Sequence, residues 1–302
     1  MRDVRGPACA FAALLVVVAL HVFAEITTGP SLLDDVRTDA RVAVVTVAIG
    51  QPWPIRQNHF AWAERHGYAY HEFTDEAALL GEAYADKRVF AKLLAVAKVL
   101  RRGNTDFVLV IDADAIIVEP SFSLDALVAT MARHSYSVLF SGDWQYNLNA
   151  GIMLFRNNAY ALKLLDDVVA RGARPRHDGE GGFVKGEQTA LIKYMCAEPD
   201  VRQCTKRTNA ILPTATRFAP ETARIAQRPW DAYMFSYQYG DAIIHFAGLS
   251  FLGSYRVALL RLLLRHPWAL PPFKVLCHAV SLVAIPVLQT PLPRALLEHA
   301  YS

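Results

Sequence analysis

The segment FVLVIDADAIIVEP, Phe107 to Pro120, makes two demands that few folds meet together. Its aromatic, aliphatic and β-branched residues read as a buried strand running through Asp106 to Val118. Asp112 and Asp114 nevertheless stand inside it, one residue apart. Alternate side chains of an extended segment point to one side, so the two carboxylates can converge on one point. Adjacent like charges repel unless a cation lies between them, and a hard divalent ion with oxygen ligands meets that need. The plainer account has one aspartate capping a turn and the other solvated. The pair by itself leaves both accounts open.

The flanking chain has the period of an α/β domain. RVAVVTVAIG, ending in Gly50, is a continuous β-branched run of the kind buried on both faces. HFAWAERHGYAYHEF reads as a helix, a stop at Gly67 and a second strand. KRVFAKLLAVAKVLRR carries apolar residues at helical spacing, with Gly103 as its C-terminal stop. This βαβα alternation predicts a Rossmann-like, mostly parallel sheet between helices. Ligands of such sheets bind beyond the carboxyl ends of the strands, where Asp112 and Asp114 fall.

Further along, SVLFSGDWQYNLNAGIMLFRNN offers a strand at Val138 to Phe140, a polar loop, and a second strand at GIMLF, which places Asp143, Asn147 and Asn149 on connections beside the sheet. VKGEQTALIKYM sets Glu187 and Gln188 at a helix start, where the helix dipole alone would favour an acidic residue. DAIIHFAG is a short strand ending in His245. A lone histidine there has a structural reading as well as a ligand reading.

In this order and at these separations, Asn58 with HGYAY, then FAKLLAVAKVL, IDADA, LNAGIMLFRN, GEQTALI and IIHFAG resemble the galactosyl, xylosyl and mannosyl transferases of glycosyltransferase family 34. The resemblance spans residues 42 to 250. It implies a GT-A fold, a nucleotide-sugar donor with UDP favoured and GDP-mannose as alternative, a glycan acceptor, Mn²⁺, and transfer with retention of anomeric configuration. By position, Asp112 and Asp114 match the family's metal pair and His245 its third protein ligand. Lys92 matches a lysine on the helix before the metal strand, and Asn149 the asparagine of an Asn-x-Gly turn near the donor sugar. Gln188 matches the glutamine near the anomeric carbon and Glu187 its acidic neighbour, while Gly50 and Tyr68 fall by the base and ribose.

Two positions depart from the family. Leu249 and Ser250 follow the His-Phe-x-Gly stretch where a lysine is usual, and Gly186 replaces a second acidic residue before the glutamine, with Lys185 beside it. These departures motivate the alternative of a catalytically silent, glycan-binding or scaffolding relative. An amide is a poor nucleophile, so Gln188 at the anomeric carbon points to a front-face reaction. Glu187 is the rival nucleophile for a covalent route.

Composition bears on the compartment. Of 302 residues, 53% are hydrophobic and 20% charged, enough for a full core together with membrane-seeking segments. The net charge of +3, with no basic and aromatic clustering, excludes a nucleic-acid surface. Residues 1–24 place Arg2 and Arg5 before an apolar run that suits a signal-anchor or a cleaved signal peptide. The expectation is a type II Golgi or endoplasmic reticulum membrane protein with its domain lumenal. Residues 25–40 then form a stem, 41–252 the catalytic domain, and 253–302 apolar, basic helices that associate with membrane. Packing of those helices on the catalytic domain would equally explain their apolar content. Cys196 and Cys204 flank a short polar loop that a disulfide would close in an oxidising lumen, with two unpaired thiols as the alternative.

Overall fold

The computed structural model describes residues 38–49, 56–84, 88–143, 147–171, 186–195, 223–225, 231–233, 242–246, 254–265 and 269–277. Residues 1–24, Gly50, Lys185, Cys196, Cys204, Leu249 and Ser250 lie outside them.

The six-stranded central sheet begins with β1 (Val42–Val47), followed by helix α1 (Arg56–Arg65) and β2 (Ala69–Phe73). A short α2 (Glu76–Leu80) and α3 (Ala91–Leu100) lead to β3 (Phe107–Asp112). After β4 (Ala115–Ile117) and α4 (Asp125–Arg133) come β5 (Val138–Asp143), β6 (Asn147–Arg156), α5 (Ala159–Arg171), α6 (Gly186–Met195) and β7 (Ala223–Ile225). The strand order is β2-β1-β3-β6-β5-β7. β1 runs parallel to β2 and β3, and β5 to β7, while β6 is antiparallel to both of its neighbours.

Alternation along β1 and β3 distributes their side chains between two cores. Ala43, Val45, Val108 and Val110 pack with α3, α5 and α6 on one face. Val42, Val44, Phe107, Leu109 and Ile111 pack with Trp62 of α1 and with Val128 and Met131 of α4 on the other. Burial of both faces is why these strands carry no polar alternation. Helix stops fall where expected: Gly67 and Gly103 both adopt positive φ, at 70° and 73°, a region glycine enters without steric penalty.

One expectation is corrected. The run from Asp106 to Val118 is not a single strand but two, β3 and β4, separated by a turn at Ala113 and Asp114. β4 leaves the central sheet and joins a second sheet, order β4-β9-β8, with β8 (Asp231–Tyr233) and β9 (Ile243–His245). The chain turns there because the Asp114 carbonyl accepts from the Phe246 amide at 2.9 Å while β4 pairs antiparallel with β9, Ala115 opposite His245. A second correction concerns the polar loop after Phe140. Asp143, Asn147 and Asn149 belong to strands β5 and β6, whose pairing continues past a register shift between Phe140 and Ser141. Such a shift lets a hairpin continue while re-aiming its side chains.

Helix α7 (Ser254–Arg265) and helix α8, over 270–277, pack on the second sheet. Leu263, Phe273 and Cys277 form a core with Ala48, Ala113, Ile116, Val118, Ile244 and Phe246. Lys274, buried on the same helix, reaches Glu119 at 3.5 Å. Among the described residues no helix is long and apolar enough to cross a membrane.

Candidate active site

The site lies where the carboxyl end of β3 meets the second sheet. Asp112 closes β3, Asp114 stands in the turn after it, and His245 closes β9. One ligand atom from each lies within 4.8 Å of the others. His245 Nε2 stands 3.3 Å from Asp114 Oδ1 and 3.8 Å from Asp112 Oδ2. Burial pushes the Asp112 carboxyl up to about 6, and the Asp114 charge adds to that, against the pull of Lys92 and His245. A divalent cation among the three would favour the ionised form of both carboxylates. Two carboxylates and an imidazole also form a donor set that Mn²⁺ accepts more readily than Mg²⁺ does. The residues present therefore fit a metal ion.

The imidazole is held by close packing. Gly151 in β6 stands one step beyond the last β3–β6 pair, Ile111 with Ile152, and so beside Asp112. A Cβ at Gly151 would come 2.0 Å from His245 Cε1 and 2.8 Å from its Nδ1. The His245 ring, 3% exposed, occupies the space that the missing side chain leaves.

Lys92, in the first turn of α3, gathers the neighbouring groups. Its Nζ donates to Asp112 Oδ1 at 2.7 Å, to Glu187 Oε1 at 3.0 Å and to the Ala150 carbonyl at 3.0 Å. An ammonium has three donors, so these partners satisfy it. Burial opposes its charge, but Asp112 and then Glu187 outweigh burial and raise its pKa above the ordinary lysine value. Lys92 thus holds two carboxylates in place.

Gln188 follows Glu187 in the first turn of α6, and its Oε1 accepts from the Ala150 amide at 3.0 Å. Asn149 is buried in β6, where its Oδ1 accepts from the Gly151 amide at 2.6 Å. The structure places this Asn-x-Gly stretch in a strand, not a free turn, and its backbone ties Lys92 and Gln188 together at Ala150. Asp112, Asp114, His245, Lys92, Glu187, Gln188 and Asn149, drawn from β3, β9, α3, α6 and β6, therefore converge.

Tyr68 does not join them, which corrects its expected place by the nucleotide. It precedes β2, level with Val42 and Phe107, five residues from Asp112 and therefore about 16 Å down the sheet. Its hydroxyl accepts from the Leu124 amide at 2.9 Å, and burial pushes its pKa up to about 12. Gly186 adopts φ 46°, and a Cβ there would meet Val89 Cγ2 at 2.1 Å. A side chain at this position would collide with Val89.

Sequence reasoning missed Gly151 and the Ala150 backbone. Their only trace is the NAG tripeptide that was read for Asn149.

Among solved structures, a glycosyltransferase involved in the glycosylation of the major capsid of PBCV-1 matches with a TM-score of 0.51 over 73% of this chain and 99% of its own, at 13% identity. The fold is GT-A-like. The GT-A-like sheet carries the acidic pair at the end of β3, the crevice where ligands of open α/β sheets bind. GlyE of Streptococcus pneumoniae TIGR4 matches at 12% identity, with a TM-score of 0.37 over 73% of this chain and 63% of its own. A197 from STIV matches at 12% identity, with a TM-score of 0.30 over 50% and 78%. Neither of these two carries the assignment. No family model and no curated protein sequence matches the chain.

Proposed function

We propose that the chain is a retaining, Mn²⁺-dependent glycosyltransferase of family 34 type, which moves galactose, xylose or mannose from a nucleotide sugar to a glycan acceptor. The observation that carries this reading is the Asp112, Asp114 and His245 cluster at the carboxyl end of the central strands of a GT-A-like fold. Asp112, Asp114 and His245 would hold the ion, which would supply Lewis acidity toward a departing diphosphate.

The chain's own residues then divide the remaining work. Glu187, ion-paired to Lys92 at 3.0 Å, is a weakened nucleophile but remains able to accept hydrogen bonds from sugar hydroxyls. The Gln188 carbonyl is oriented by the Ala150 amide, and a preorganised dipole of this kind stabilises positive charge developing at an anomeric carbon. An amide there, with the neighbouring carboxylate occupied, favours front-face transfer over a covalent intermediate. UDP is the favoured nucleotide and GDP-mannose the alternative.

The full chain in detergent, given Mn²⁺ and a panel of UDP-galactose, UDP-glucose, UDP-xylose and GDP-mannose, is expected to hydrolyse one donor slowly and to stop when EDTA is added. Turnover of no donor, together with metal-independent glycan binding, would instead establish the silent relative.

The reading includes a type II membrane location in the Golgi or endoplasmic reticulum. Residues 1–24 alone support it; the outer side of α7 and α8 bears on membrane contact, not on compartment or orientation. Ala258, Arg261, Leu262 and Arg265 form one exposed helical stripe, and Pro271, Pro272, Val275 and Leu276 another. Leu262 and Leu276 are 48% and 58% exposed. Exposed apolar residues beside arginines suit the interface of an anionic bilayer. Chain lacking residues 1–24 is expected to sediment with phosphatidylserine vesicles and to be released by Arg261→Glu with Arg265→Glu. Equal recovery in the supernatant with and without vesicles would count against membrane contact.

A further inference from the structure

We infer that Asn58 and His59 form a positioning clamp that sets the separation of Asp112 from Asp114 and His245. The inference rests on the metal reading of these three residues. Strand β4 follows Asp114 directly and has two edges. Its inner edge pairs with β9, Ala115 opposite His245, and the Val118 amide donates to the Ala242 carbonyl at 2.9 Å. Among the described residues its outer edge has no strand partner, because β4 ends the order β4-β9-β8. Side chains from the first turns of α1 take that place. Asn58 Nδ2 donates to the Ile117 carbonyl at 3.0 Å, and its Oδ1 accepts from the Ile117 amide at 2.8 Å. One primary amide thus makes both bonds that a neighbouring strand would make.

His59 works two residues nearer the site. It is fully buried, and burial lowers its pKa to about 4, so the ring is neutral and carries one N–H. Nε2 lies 3.0 Å from the Ala115 carbonyl, which can only accept, so the proton resides there. Nδ1, 2.9 Å from Thr46 Oγ1, then accepts from that hydroxyl. Thr46 belongs to β1, one register step below the pairing of Val47 with Asp112. A chain of contacts therefore runs from the central sheet at Thr46, through His59, to the carbonyl of Ala115, the residue after Asp114. Asp112 is anchored to one sheet, and Asp114 and His245 to the other. The clamp ties the two sheets at the level of the three ligands.

Partners that orient ligands are typically worth 10- to 100-fold in metal affinity. Mn²⁺ uptake by the full chain in detergent, read from loss of the free-ion EPR signal, tests the clamp. Asn58→Ala is expected to weaken uptake by about tenfold or more. His59→Gln places an amide donor near the Nε2 position and is expected to retain uptake near that of the wild type. His59→Asn reaches only the Nδ1 position and is expected to lose it. Leu164→Ala, buried in α5 on the other face of the sheet, serves as the control for general destabilisation and is expected to lower the melting temperature without weakening uptake. Asn58→Asp, which keeps the acceptor for Ile117 and removes the donor, replaces Asn58→Ala if the latter does not fold. Unchanged uptake in Asn58→Ala and His59→Asn, or an equal loss in Leu164→Ala, overturns the clamp alone. A wild-type chain that takes up no Mn²⁺ overturns the metal reading, and the clamp with it.

Discussion

Asp114→Ala is expected to lower donor hydrolysis at least about a hundredfold, and to do so without unfolding the protein. A Lewis acid supplies several kcal/mol to the transition state, and each 1.4 kcal/mol is tenfold in rate. The structural consequence is small. Without metal, Asp112 and Asp114 oppose each other across a half-buried site, and Asp114 adds to the burial that pushes Asp112 up to about 6. Removing one of two like charges relieves that repulsion and offsets the loss of the 3.3 Å contact to His245, so the metal-free variant should melt close to metal-free wild type. Mn²⁺ should raise the melting temperature of the wild type, since an ion that binds only the folded state stabilises it, and should leave the variant unmoved. Calorimetry with and without Mn²⁺, beside the donor assay, measures both effects. A variant that keeps its activity, or that still gains stability from Mn²⁺, would remove Asp114 from the ligand set.

Gly151→Ala is the smallest substitution with a large expected effect. Its Cβ would stand 2.0 Å from His245 Cε1 and 2.8 Å from Asn149 Oδ1, closer than real contacts allow. Neither neighbour yields readily. His245 is 2% exposed and fixed in β9 opposite Ala115, and Asn149 is 3% exposed and bound to the Gly151 amide. Forcing atoms into a packed interior costs about 1–3 kcal/mol, or roughly 2–12 °C in melting temperature for a domain of this size. The added methyl is expected also to displace the imidazole and abolish Mn²⁺ uptake. Normal uptake with an unchanged melting temperature would show that β6 and β9 are not held together as the Gly151 packing implies.

Much of this arrangement could be read from the amino-acid order, because it depends on local chemistry. Unbroken apolar runs at Val42–Val47 and Phe107–Ile111 require strands buried on two faces, and both lie at the centre of the sheet. The apolar helical period that ends at Gly103 and the acidic start at Glu187 appear as α3 and α6. The pairing of Asp112 and Asp114 with the distant His245 is implied by the resemblance to glycosyltransferase family 34 alone, and the three converge.

What the order of residues could not determine is set by contacts between segments far apart in the chain. Whether residues 107–118 form one strand or two depends on where β9 pairs, a contact some 130 residues away along the sequence, which no local period encodes. The resemblance implies a place for Tyr68 by the nucleotide, but the parallel register of β1, β2 and β3 places it at the opposite end of the sheet from Asp112. Lys92 reads from the resemblance as a donor-binding lysine, and only the approach of α6 and β6 shows that Glu187 and the Ala150 carbonyl engage its ammonium. Gly151 is an ordinary strand glycine in sequence, and only the approach of His245 from another sheet requires that it carry no side chain. Side-chain chemistry and local periodicity are written residue by residue, whereas register and close approach come into being only when separate segments pack.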